Sequence, residues 1–113
     1  MNTYTIRPLR LGIIRRKMEN MAYKCGITDI FDFHLISYYL EGAGHKIIVD
    51  TGGTAPDGVK WQPYSRSENE SLDKTLLAMG VSTKDIDNVI LTHLHWDHAS
   101  NNNLFCSLVV LTQ

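Results

Sequence analysis

A chain of 113 residues, 43% hydrophobic and 20% charged, is long enough for one globular domain with an ordinary core and too short for two. Its net charge of -1 gives no global attraction to nucleic acid or to an anionic membrane surface. No apolar run approaches the roughly 18 residues of a membrane span, and the N-terminus lacks a signal-peptide core, so a cytoplasmic protein is expected. Cys25 and Cys106 stand far apart without metal or scaffold spacing, and are read as reduced, structural thiols.

Between residues 4 and 14 the apolar side chains Ile6, Leu9, Leu11, Ile13 and Ile14 mix with basic ones, and Pro8 and Gly12 interrupt them. The pattern predicts a broken strand pair at a sheet edge, where proline is tolerated. Arg7, Arg10, Arg15, Arg16 and Lys17 make the segment locally basic. A solvated turn is the plainer explanation, and attraction for an anionic partner or substrate is the other. Residues 16–28 show no period, and Met18, Met21 and Tyr23 suit a surface loop better than a cover over an apolar groove. Residues 30–40 predict a strand with Phe31, Phe33 and Leu35 on one face, Asp32 and His34 on the other, and both faces apolar beyond Leu35. A turn at residues 41–44 leads into a return arm, 45–50, in which Ile47, Ile48 and Val49 read as buried. His34 and His45 have no ligand-type neighbour at a metal spacing and are taken as ordinary strand histidines.

Residues 54–66, with Pro56, Gly58 and Pro63, predict a loop that carries Trp61 and Tyr64. Ser67 and Glu70 have capping-box spacing and open a helix in which Leu72, Leu76 and Met79 recur on one face, widened by Leu77. Gly80 ends it at the C′ position. After a turn at residues 82–85, Val89, Ile90 and Leu91 form a strand, and a further buried strand is expected at 108–111. Hairpin, helix, strand and loop in this order predict an α/β layout with the site at a strand's carboxyl end.

The loop after Leu91 carries the chemistry: Thr92-His93-Leu94-His95-Trp96-Asp97-His98-Ala99. His93 and His95 lie two apart, a spacing that separates them on a helix but aligns them on an extended segment. His93, His95 and Asp97 can therefore face one cavity while Leu94 and Trp96 pack the other way, with a short helix opening near Asp97 or His98. Imidazoles and a carboxylate so clustered suit a borderline metal such as zinc. Solvated or core histidines in a strand-to-helix loop are the alternative. Ala99 and Ser100 are small enough to let backbone pass close to the metal. Taken alone, Asp50-Thr51-Gly52 is a plain turn in which the aspartate bonds to backbone.

His93-x-His95-x-Asp97-His98 resembles the signature of the metallo-β-lactamase superfamily, and Asp50-Thr51-Gly52 resembles its first motif. The flanking residues 37–53 and 89–99 are similar to the branch that includes N-acyl homoserine lactonases. The likeness covers residues 30–110 and the front half of the family pattern. It implies the N-terminal half of an αββα sandwich, a mixed sheet with flanking helices, with residues 1–113 a partial, truncated domain that exposes an apolar face and a free edge. It also implies zinc, two ions in the intact protein, with His93 and His95 on one and Asp97 and His98 on the other. The remaining ligands belong to the pattern's second half. Asp50 would be an outer-shell residue orienting ligands, and Trp61 and Tyr64 would lie near the mouth, to contact substrate or pack on the body. The implied reaction is hydrolysis of a lactone or related ester, a small-molecule substrate, by metal-activated hydroxide, with Asp97 catalytic in orienting the hydroxide or passing its proton on. A thioester, β-lactam or phosphodiester substrate is the variant within the superfamily. A non-catalytic metal-binding or inert fragment is the reading from another class.

Overall fold

The computed structural model describes residues 1–55, 58, 62–106 and 108–111, the last four by their backbone. The expectations for Trp61 and Pro56 fall outside these residues. Among the described residues six strands form one sheet in the order β4-β1-β2-β3-β5-β6. β1 (Thr5–Lys17), β2 (Ile30–Gly42) and β3 (His45–Val49) are an antiparallel meander. β5 (Asn88–Leu91) and β6 (Leu108–Leu111) add parallel to β3, while the two-residue β4 (Tyr64–Ser65) pairs with Ile13 and Ile14 of β1.

β1 corrects the expectation of a broken pair. It is a single strand of 13 residues whose register with β2 slips between Arg10 and Ile13. Gly12, at φ 123°, absorbs the extra residue, so the chain bends without ending. The basic residues expected in a solvated turn thus lie along a strand. The β2–β3 hairpin closes through Ala43 (φ 52°) and Gly44 (φ 81°), with Gly42 opposite His45. Two consecutive positive φ values match the twist of the flanking strands, as in a type I′ turn.

Leu35, Ser37 and Tyr39 point from β2 into the core, whereas Tyr38 is exposed and Ile36 and Leu40 are half-buried. The expectation that both faces of β2 are covered beyond Leu35 is therefore corrected: alternation persists along the strand. β3 behaves likewise, with Ile48 fully buried and Ile47 and Val49 half-buried. The covered face meets α1 (Leu72–Ala78), which inserts Leu72 and Leu76 among Leu9, Leu11, Ile48, Val89 and Leu91. Leu77 is 69% exposed, against the expectation that it widens the stripe. One residue past Leu76 turns the side chain by about 100°, away from the sheet.

The capping box forms at Ser67 and Glu70 as expected, but the element it opens is a 3-10 turn ahead of the helix. Ser67 and Glu70 bracket this turn, Glu68–Glu70, and Ser71 then takes the N-cap position of α1 without a side-chain capping bond. At the other end Gly80 (φ 76°) donates to Leu77 O and Val81 N donates to Leu76 O, the paired bonds of a Schellman motif. Cys25 and Cys106 are free thiols and both exposed, so neither packs the core as a structural residue would. Among the described residues no helix is long and apolar enough to cross a membrane.

Candidate metal centre

The site is assembled where two adjacent parallel strands end. Val49 pairs with Ile90, and beyond that register Asp50 N donates to Ile90 O at 2.8 Å. Asp50 takes φ 62°, a left-handed conformation that aspartate tolerates better than most residues. This turn aims its carboxylate across to the end of β5. Oδ1 accepts from Thr92 N (2.8 Å), both oxygens lie within 3.0 Å of Thr92 Oγ1, and Oδ2 lies 2.7 Å from His98 Nδ1. The carboxylate is buried while His98 is about a third exposed.

The loop after the turn is stitched to the ligand segment. Thr51 N donates to His98 O, Ser100 N donates to Gly52 O, and the Asn101 side-chain amide donates to Thr51 O and Gly53 O. Thr51 Oγ1 also donates to Asn102 Oδ1 at 2.9 Å. Gly53 is required here, because a Cβ would come within 2.4 Å of the Trp96 ring. That ring packs edge-on against buried Tyr64, whose hydroxyl donates to Leu11 O. Tyr64 therefore supports the floor of the site by packing.

Between the strand and α2 (Trp96–Ala99) the chain is extended, and α2 begins one residue before the expected start, with His95 as its N-cap. The extended stretch sets His93 and His95 side by side, ring centroids 4.6 Å apart. Leu94 does not pack on the body as expected; it is 66% exposed, whereas Trp96 does turn inward. The donor atoms of His93, Asp97 and His98 converge, all within 4.8 Å of one another, and His98 Nε2 is 3.6 Å from Asp97 Oδ2. His95 stands beside this trio without joining it, so the geometry groups His93 with Asp97 and His98.

Protonation follows from the partners. Asp50 offers only acceptors, so a neutral His98 donates Nδ1–H to it and presents the Nε2 lone pair. Thr92 donates its hydroxyl proton to Asp50 and can accept Nδ1–H from His93 at 3.1 Å, which frees Nε2 of that ring too. A nitrogen, nitrogen and carboxylate donor set with anchored imidazoles fits a zinc-type ion. Thr92, Asn101 and Asn102 join the site without a metal-ligand pattern in the sequence to mark them. The one sequence signal for Thr92 is a hydroxyl at a strand end next to the first histidine; the asparagines gave none beyond poor helix propensity. A cavity of about 400 Å³ opens beside the cluster, lined in part by Ile14, Arg16, Trp96 and Asp97.

The metallo-beta-lactamase superfamily pattern matches residues 36–111, about two thirds of the chain. The chain belongs to this superfamily. Solved structures share its architecture. One is Bacillus thuringiensis AiiA, a mutant with N-decanoyl-L-homoserine bound at the active site; it aligns over 92% of this chain with a TM-score of 0.80 at 22% identity. An N-acyl homoserine lactone hydrolase, with N-hexanoyl-L-homoserine at its catalytic metal centre, aligns over 92% with a TM-score of 0.79 at 21% identity. AidC, a dizinc quorum-quenching lactonase, aligns over 96% with a TM-score of 0.62 at 19% identity. At these identities the likeness establishes the fold. The chain spans 46% of the first two proteins and 40% of AidC. The superfamily's N-terminal layout, with a mixed sheet and few helices, is thus the fold anticipated from the motifs.

Proposed function

We propose that this chain serves metal-dependent hydrolysis of a lactone or related small-molecule ester, with zinc held at the loop of His93, His95, Asp97 and His98. The observation that carries the reading is the convergence of the His93, Asp97 and His98 donors within 4.8 Å, with Asp50 and Thr92 bonded to the ring nitrogens that face away. A zinc ion bound there would polarise a carbonyl oxygen and bring the pKa of a water towards about 7. The chain's own groups do the rest. Asp50 and Thr92 hold two imidazoles in one tautomer and direction, and Asp97, half-buried beside His98, is placed to orient a water or return its proton to a leaving alkoxide. Trp96 forms part of the cavity wall beside the loop. Two zinc ions in the whole site, divided between the His93/His95 and Asp97/His98 pairs, remain the proposal drawn from the family resemblance.

The test is a zinc titration against a chromophoric chelator, with lactone opening followed in parallel. Zinc binding that falls at least 100-fold in His98→Ala and in His93→Ala is expected. Equal zinc affinity in those variants and the parent chain would overturn the assignment, and zinc binding without turnover of any lactone or ester would remove the hydrolase while keeping the site.

A further inference from the structure

The cavity beside the ligand loop has mixed walls, apolar at Ile14, Met21 and Trp96 and polar elsewhere, and among the described residues its cationic side chain is Arg16. Ile14 and Arg16, two apart on β1, face it together with Met21, Gln62, His95, Trp96 and Asp97, and Gln62 Oε1 is buried without a hydrogen-bond partner among the described residues. The arginine next in sequence shows what a satisfied guanidinium looks like in this strand. Arg15 points to the opposite side and holds Asp32 by two bonds, 2.7 and 3.1 Å. The Arg16 side chain is half-buried and has no ion pair or hydrogen bond among the described residues. The one lining carboxylate among the described residues, Asp97, belongs to the cluster assigned to metal. A partly desolvated guanidinium facing this cavity, with no carboxylate of its own among the described residues, favours an anionic ligand, and its planar fork matches a carboxylate bidentately.

We propose that Arg16 selects a substrate bearing a carboxylate on the arm that fills this cavity, so that an anionic lactone or ester is taken in preference to a neutral one of the same length. The proposal rests on the hydrolase reading for the reacting carbonyl, while the cavity and its charge belong to the chain irrespective of metal. Arg16 acts on specificity; the reacting group stays with the ligand loop.

The experiment is calorimetric titration of the full chain, with and without zinc, against homoserine lactones carrying acyl arms of four, six and eight carbons. Each arm is compared ending in methyl and ending in carboxylate. For at least one length the carboxylate form is expected to bind about tenfold or more tightly, with the preference weakening as salt is raised. Arg16→Met should abolish the preference without loosening the methyl series, and Arg16→Lys should retain part of it. Equal binding of the two series, a preference that survives Arg16→Met, or no binding of either series at millimolar concentration would each overturn the proposal. Failure of the hydrolase reading shows separately, as absent zinc binding or turnover, and leaves the metal-free comparison valid.

Discussion

At the scale of single residues, Asp50 is the side chain on which most of the site depends. One oxygen accepts from Thr92 N–H, the other meets His98 Nδ1, both lie within reach of the Thr92 hydroxyl, and all this comes from a backbone conformation that few residues accept. Asp50→Asn separates these demands. Asparagine tolerates φ near +60°, so the turn survives, but its amide has one acceptor end and one donor end and must fail either Thr92 N–H or His98 Nδ1–H. Zinc affinity is expected to fall about 10- to 100-fold with little change in urea midpoint, as for other ligand-orienting partners of metal sites. Asp50→Ala should add a loss of about 1–2 kcal/mol in stability, since alanine pays for the left-handed turn as well. Chelator competition and urea denaturation measure the two effects separately, and identical zinc affinity in Asp50→Asn would show that the carboxylate does not position His98. Thr92→Val keeps the shape and deletes the hydroxyl bridging Asp50 and His93, and a fall in affinity of similar size is expected by the same measurement. The side-by-side setting of His93 and His95 was legible in the sequence, because residues two apart share a side of an extended chain. The grouping of the candidate ligands was not, because the turn into α2 brings Asp97 and His98 onto His93 and leaves His95 at the edge.

Secondary elements position the site through one irregularity in β1. Gly12 sits at the register slip, and a Cβ there would come within 2.6 Å of Ser65 O and 2.7 Å of the Tyr64 ring. The close approach lets β4 lie on β1, which seats Tyr64 under Trp96 and so fixes the start of α2. Gly12→Ala combines backbone contact with a φ of 123° that side chains rarely adopt, and is expected to cost about 2–4 kcal/mol. Urea denaturation checks this, and a cost below the ordinary surface range of about 0.5 kcal/mol would show that β4 does not depend on the bulge. Sequence periodicity identified Gly12 as an interruption but could not say whether the strand stops or bulges, since the deciding partner, Ser65, lies 53 positions away and in a strand of two residues. The hairpin and α1 were easier. Alternation, the Ser67 to Glu70 spacing and Gly80 are local signals, whereas the outward turn of Leu77 depends on which face the sheet happens to offer.

For the whole molecule, the order of hairpin, helix, strand and ligand loop was readable from periodicity and the family motifs implied a mixed sheet, whereas the parallel addition of β5 and β6 to β3 shows only in the structure. What no pattern of apolar residues could supply is the covering of the sheet: Ile6 and Tyr38 remain exposed while Leu9, Leu11 and Tyr39 are buried beneath α1. The charges distributed over this frame set two limits on its stability. Asp32 beside Arg15, Glu68 beside Lys74 and Glu70 under the Ser67 backbone N–H all have pKa values below the ordinary carboxylate range. Each is lower in the folded chain than in the unfolded one, so the stabilisation is complete above about pH 4 and is lost as pH falls through the folded values. Tyr39 acts in the opposite sense. Burial, and after it the Glu41 carboxylate, raises its phenol to about 12. An acid whose pKa rises on folding stabilises the fold below its unfolded value near 10, and that contribution disappears between about pH 10 and 12 as the unfolded chain alone ionises. The urea midpoint of the metal-free chain should therefore fall below about pH 4 and again above about pH 10. Tyr39→Phe keeps the ring and removes the ionisation, so it should flatten the alkaline limb by about 2 kcal/mol at pH 12 while leaving the acid limb in place. An alkaline limb equally steep in both proteins would mean that the Tyr39 hydroxyl is not held in the core.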